Sequence, residues 1–250
     1  MTGISVNKIN IIEPDWRGLS DIFAGTTTRL HGFSEGSFSE LNIAMHVGDS
    51  DLAVSKNRKK LKKDLNLPDH PAWLNQKHGT DIIIEPDKLN YPEGDASISF
   101  EPGKVCTVMT ADCLPVLATN KSQNVVAAIH AGWRGLAEGV IEKTLLSMKC
   151  NPEDIIVWLG PAISQEAFEV GDEVREIFID SDKDAKNCFK MNEYNRWQAD
   201  IYGLAKIRLM NTGVSLIYGG EYCTFYDDEL FFSYRRENIC GRMASMIYIK

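Results

Sequence analysis

Three side chains in this 250-residue sequence combine useful chemistry with a useful position: His78, Cys113 and His130. His78 closes the run Trp73-Leu74-Asn75-Gln76-Lys77 and leads into Gly79, and His130 closes Val125-Val126-Ala127-Ala128-Ile129 and leads into Ala131-Gly132. Cys113 holds the equivalent place after Val105 to Thr110. Two imidazoles and one thiolate make a sensible three-ligand zinc site, because zinc takes nitrogen and sulfur donors and, when catalytic, keeps a fourth position open. Their spacing matches no zinc-finger pattern. On these residues alone, a Cys–His nucleophilic pair and unrelated core positions stay open beside the metal. His31, His46 and His70 sit in loops or turns and read as solvated or hydrogen-bonded.

The neighbours favour a site. Asp112 is placed to act as a base or to orient a ligating imidazole. Gly132 and Gly135 let a ligand approach the backbone, and a helix beginning near Leu136 aims its N-terminal amides beside His130. Arg134 offers a planar fork for phosphate or carboxylate, with a surface salt bridge as the alternative. Phe231-Phe232-Ser233-Tyr234-Arg235-Arg236 reads as a strand carrying one solvated arginine and one that faces a pocket.

The elements that position these groups alternate through the middle third. Val105 to Thr110, Val116 to Thr119, Val125 to Ile129 and Ile155 to Leu159 are apolar and β-branched, which predicts strands. Leu136, Val140, Ile141, Leu145 and Met148 share one helical face. A helix around Gln198 to Asn211 and short strands at Leu230 to Tyr234 and Met246 to Ile249 complete the pattern. Leu52, Val54, Leu61 and Leu65 predict a further helix, with the basic run Lys56 to Lys63 on its solvated face. This mixture predicts one α+β domain over 1–250, with mixed β-sheets flanked by helices and the site at strand ends.

Composition excludes several classes. The net charge of −8 and the absence of a cationic block argue against nucleic-acid binding. No apolar run approaches about 18 residues, so no membrane span is expected. Met1 to Lys8 lacks the pattern of a leader. Six sparse cysteines fit reduced thiols in the cytoplasm. The phosphate loop, the His-Glu-x-x-His helix and the nucleobase-deaminase signature are all missing. Gly32-Phe33-Ser34-Glu35-Gly36 has the letters of a nucleophile elbow but lacks its strand-to-helix setting.

At the level of motifs, Gln76-Lys77-His78-Gly79, Ala111-Asp112-Cys113-Leu114-Pro115 and His130-Ala131-Gly132-Trp133-Arg134-Gly135 resemble the laccase-domain (YfiH-type) family. Thr27-Thr28-Arg29, Leu41-Asn42, Val47-Gly48-Asp49, Asn57-Arg58, Gly94-Asp95-Ala96, Gly160-Pro161, Cys223-Thr224, Phe231 to Arg236 and Gly241-Arg242 extend the resemblance along nearly the whole chain. Two departures are visible: His31 stands where the family usually has glycine, and Glu237-Asn238-Ile239-Cys240 replaces an Asp-Gly-x-Thr pattern.

The resemblance implies a metal held by His78, Cys113 and His130. It also implies phosphorolysis of adenosine, inosine and methylthioadenosine, with adenosine deamination as a side activity. The family's members are described as polyphenol oxidases too. A multicopper site uses paired His-x-His motifs, which this chain lacks, but a single Cu2+ at the trio is chemically reasonable beside Zn2+. For phosphorolysis, Arg134 is expected to hold phosphate, with Arg29 or Arg235 as a second clamp. Arg58 and Asn42 are further substrate contacts, and Asp95 and Asp112 handle protons. The expected partners are a purine nucleoside and phosphate, with the protein acting as a monomer. Two rival readings stand beside this one. The first is a metal-independent hydrolase with Cys113 as nucleophile. The second is a zinc-stabilised binding module in which Cys106 or His46 completes the shell.

Overall fold

Strands form where apolar side chains can alternate between two buried faces, and this chain supplies enough of them for two facing sheets. The computed structural model describes residues 8–87 and 91–250; residues 1–7, read above for a leader, lie outside them. Strands β1 (Ile11–Ile12) and β2 (Ile22–Thr27) precede helix α1 (Asp51–Asp64). Ser50 caps α1 by accepting the Ala53 N–H, and Lys62 and Lys63 lie at its negative end. Next come β3 (Ile82–Ile84), β4 (Ala96–Ser99), β5 (Cys106–Thr110), β6 (Leu114–Asn120) and β7 (Val126–Ala131). Helices α2 (Trp133–Ala137) and α3 (Val140–Ser147) lead to β8 (Ile155–Leu159). The remainder holds β9 (Glu169–Val170), α4 (Asp172–Ser181), β10 (Phe189–Met191), β11 (Trp197–Ala199), α5 (Ile201–Asn211), β12 (Leu216–Gly219) and β13 (Met243–Ile249).

The order β1-β2-β13-β5 makes an antiparallel sheet. A mixed sheet runs β12-β8-β6-β7-β4-β3, with its two outermost pairs parallel and the rest antiparallel. A small antiparallel sheet, β10-β11-β9, lies apart from both. Cys106, Val108, Leu117, Ala128, Trp158 and Ile247 pack together between the two large sheets. Val116, Ala118 and Ile129 have the opposite parity and meet Leu136, Ile141 and Leu204 of the helices. Leu61 of α1 and Trp73 cover the far face of the smaller sheet with Met109 and Met246. Each such large apolar side chain contributes about 1.5–3 kcal/mol on leaving water.

The fold is α+β, with mixed sheets flanked by helices, as the spacing predicted. Three local expectations need correction. The helix after β7 begins at Trp133 and breaks at Gly139, whose φ of +88° no helical residue adopts. The predicted helix around Gln198 starts only at Ile201, capped by Asp200, because Trp197 to Ala199 pair as β11. Leu230 to Tyr234 is a turn rather than a strand: Phe231 and Phe232 are buried against Cys240 and Met243. Among the described residues, no helix is long and apolar enough to cross a membrane.

Candidate metal centre

His130 belongs to β7 itself, one residue further along the strand than the apolar run suggested. It shares the parity of Val126 and Ala128, which face the sheet interface, so its ring lies on that side at the strand's end. It is 3% exposed. Asp95, just before β4, lies opposite. The His130 N–H donates to the Asp95 carbonyl at 2.7 Å, and His130 Nδ1 meets Asp95 Oδ1 at 2.8 Å. The same carboxylate accepts the backbone N–H groups of Lys77 (3.1 Å), His78 (2.9 Å) and Gly79 (2.7 Å). Burial alone would raise the Asp95 pKa, but the hydrogen bonds from His130 and Gly79 hold it below the ordinary aspartate value. An ionised Asp95 assigns the proton of His130 to Nδ1 and leaves Nε2 as the donor atom.

Cys113 sits in the turn between β5 and β6. Asp112 makes that turn with a φ of +84°, and His78 also lies in the left-handed region at +60°. Such conformations persist where surrounding contacts enforce them. For Asp112 those contacts are the Thr224 hydroxyl (2.6 Å) and the Arg235 N–H (2.7 Å), both donating to its carboxylate. The ligand atoms of His78, Cys113 and His130 all lie within 4.8 Å of one another. Gly132 permits this closeness: a Cβ there would come within 3.0 Å of His78 Cδ2 and 3.1 Å of Cys113 Sγ. Burial opposes ionisation of Cys113, yet the two histidines bring its pKa down to about 6. The thiolate and Asp95 in turn raise His130 to about 9 against the same desolvation.

Two imidazoles and a thiolate, gathered at one point with His130 already oriented by a carboxylate, fit a zinc or copper ion. Among the described residues the cluster holds these three and no fourth protein ligand. Cys106 is buried between the sheets with its thiol pushed up to about 12, and it is not part of the cluster.

The trio opens into a cavity of about 450 Å3 whose other walls include His46, Gln76, Thr110, Tyr234 and Arg242. Gln76 is fixed by a pair of hydrogen bonds to the backbone of Met109, one given and one accepted, each 2.8 Å. Arg242 uses Nη1 on the carbonyls of Cys240 and Gly241, each at 2.9 Å, and its guanidinium lies 5.8 Å from the Tyr234 ring. The His46 imidazole is pushed below its ordinary pKa by burial and then by the positive charges of Arg242 and Arg58.

Several residues singled out in the sequence lie elsewhere. Arg29 donates to the carbonyls of Ser39 and Asp228 and stacks on Phe232. Asn42 is fully buried, bonded to Ala44, Asp49 and the Arg242 N–H. Arg58 stacks on Trp73 and bonds Ile43 and Tyr91 beside a separate cavity. Arg235 rests on the carbonyls of Ala167 and Glu169, and Arg236 on those of Thr224, Phe225 and Phe231. Arg134 is exposed and stacks on Trp133. None of these lines the cavity beside the trio. Of the two tail arginines, Arg235 is exposed, as the expectation of one solvated guanidinium had it, whereas half-buried Arg236 holds backbone carbonyls instead of facing the cavity. His31, the departure from a family glycine, has a φ of +69°, where glycine is normally preferred. The sequence reading missed Arg242, Gln76, Thr110 and Tyr234. Arg242 and Gln76 were visible only as letters of motif blocks.

A family model described as multi-copper polyphenol oxidoreductase laccase matches residues 23–250. The chain belongs to this family. It is 47% identical to the purine nucleoside phosphorylase YfiH of Escherichia coli (strain K12), over 96% of this chain and 98% of that protein. It is 46% identical to a purine nucleoside phosphorylase of Haemophilus influenzae, over 96% of this chain and 99% of that one. Among solved structures, protein NMB0706 of Neisseria meningitidis superposes with a TM-score of 0.93 at 41% identity, covering 96% of this chain and 99% of that chain. YlmD of Geobacillus stearothermophilus follows the same fold with a TM-score of 0.90 at 28% identity, each chain covered to 96%.

Proposed function

We propose that this family member is a zinc-dependent purine nucleoside phosphorylase acting on adenosine, inosine and methylthioadenosine, with adenosine deamination as a side activity. The observation that carries the reading is the convergence of His78, Cys113 and His130 at the wall of a cavity of about 450 Å3. The names of relatives 46–47% identical support the reaction class. His78, Cys113 and His130 would hold the metal, which would supply Lewis-acid stabilisation of developing charge.

The chain's own groups divide the remaining work. Phosphorolysis forms a bond from phosphate oxygen to the anomeric carbon and breaks the bond to the purine nitrogen, so a proton must pass from phosphate to the departing base. Asp95 and Asp112 already accept several hydrogen bonds each, which suits them to positioning the ligands rather than moving protons. His46 faces the cavity with its pKa below the ordinary histidine value, so a neutral imidazole is available there near neutral pH to relay the proton. Tyr234 offers an aromatic face to the purine.

The test is metal analysis joined to an assay with adenosine. The native protein is expected to hold about one zinc per chain and to release adenine only with phosphate present, with Cys113→Ala losing both. A protein without metal that leaves adenosine untouched overturns the proposal. A second reading, copper at the same trio, rests on the softness of the thiolate donor; oxygen uptake with a phenol in the copper-loaded protein tests it. The metal-independent hydrolase draws on the closeness of Cys113 and His130, and it requires activity that survives chelation but not alkylation.

A further inference from the structure

Phosphate must be held beside the nucleoside, and the structure narrows which cation can do it. Arg29, Arg235 and Arg236 have committed their guanidiniums to backbone carbonyls away from the trio. Arg58 serves another cavity, and Arg134 is exposed on α2. Arg242 alone among these lines the cavity with His78, Cys113 and His130.

Its side chain is anchored rather than loose. Nη1 donates to the carbonyls of Cys240 and Gly241, and its own backbone N–H is held by buried Asn42. Among the described residues, the hydrogen bonds of its guanidinium all leave from Nη1, and no carboxylate forms an ion pair with it. A half-buried guanidinium with a fixed plane and two idle donors suits a tetrahedral oxyanion, which it grips through two parallel hydrogen bonds. Across the same cavity, His46 is held below its ordinary pKa first by burial and then by the charges of Arg242 and Arg58.

We infer that Arg242 is the anion-holding residue of the site and that the anion is inorganic phosphate, the co-substrate. As a substrate-class assignment this deepens the phosphorylase reading, but the binding itself is measurable without any nucleoside.

The experiment titrates metal-loaded protein with inorganic phosphate by calorimetry. Arg242→Gln, Arg242→Lys and Arg134→Gln are compared with the native chain after matched metal content and circular dichroism. Losing a charge-assisted pair is expected to weaken phosphate binding about ten- to hundredfold in Arg242→Gln. Arg242→Lys, which keeps the charge without the fork, is expected to fall between. The Michaelis constant for phosphate should rise in step while that for adenosine stays put. If Arg242→Gln does not fold, the lysine variant decides. Native affinity in the Arg242 variants, a loss confined to Arg134→Gln, or no phosphate binding by the native protein overturns the inference. If phosphate binds through Arg242 yet releases no adenine, the anion site stands and the phosphorylase reading falls.

Discussion

Asp95 and His130 are joined twice, backbone to backbone at 2.7 Å and carboxylate to imidazole at 2.8 Å. One residue therefore sets both the strand register and the ring orientation of a candidate metal ligand. Because its carboxylate also gathers the N–H groups of residues 77 to 79, it positions the second imidazole as well.

Asp95→Asn is the sharpest probe of that arrangement. An amide turns one acceptor into a donor and faces it toward N–H groups. Loss of such a partner typically weakens metal binding about 10- to 100-fold. Competition with a chromogenic chelator should register that drop while circular dichroism stays native. Unaltered affinity would mean the carboxylate does not govern the ligands.

The two glycines beside the site should differ in kind. At Gly132 an added methyl presses on a ring and a sulfur at 3.0 and 3.1 Å, so Gly132→Ala should lower metal affinity with little change in fold. At Gly135 the methyl meets the Gly79 carbonyl oxygen at 2.6 Å. That forces backbone to move, and Gly135→Ala should cost about 1–3 kcal/mol in denaturant unfolding. Equal effects on metal and stability for both variants would contradict the geometry.

Arg29 is expected to matter for stability and not for phosphate. It ties Ser39 to Asp228 while covering Phe232, so Arg29→Ala should lose about 1–3 kcal/mol from charge-assisted bonds left unmade. The phosphate Michaelis constant of the folded fraction should match the native value. A selective rise in that constant would return Arg29 to the site.

Glu85 gives a pH signature remote from the metal. Burial would raise its pKa, but the Phe100 N–H, Lys104 and Ser99 hold it below the ordinary value of 4.5. A group depressed on folding stabilises fully above its unfolded pKa and loses that contribution as pH falls through the folded one. The stability gap between the native chain and Glu85→Gln should thus be full near about pH 7 and shrink as pH falls through the lowered folded-state pKa. A gap that widens in acid would refute the assignment.

The apolar runs that became β5 through β8 were legible because each is buried on both sides and strongly β-branched. Cys113 and His130 were legible because each stands at the end of such a run, whereas His78 follows Trp73 to Lys77, which forms no strand, and stood out only by its Gly79 turn. What stayed hidden depends on contacts distant in sequence. Nothing in Leu230 to Tyr234 distinguishes a strand from a buried turn, since Phe231 and Phe232 pack against Met243 rather than alternate. Arginines of equal appearance separated only when the carbonyls of Ser39, Glu169 and Thr224 claimed three of them and left Arg242 facing the cavity. Asn42 looked like a substrate contact, yet it is the buried peg that holds the Arg242 backbone.

The pair of hydrogen bonds between Gln76 and Met109 has a consequence beyond the cavity. β5 is the outer strand of its sheet, and an outer strand offers its free backbone groups to any passing chain. Gln76 occupies those groups at Met109, while Ala72 bridges to Cys106 further along. The loop that carries His78 into the candidate metal site thus also seals the sheet against intermolecular strand addition. A chain whose loop is dislodged should aggregate through this edge, tying solubility to the integrity of the reaction centre.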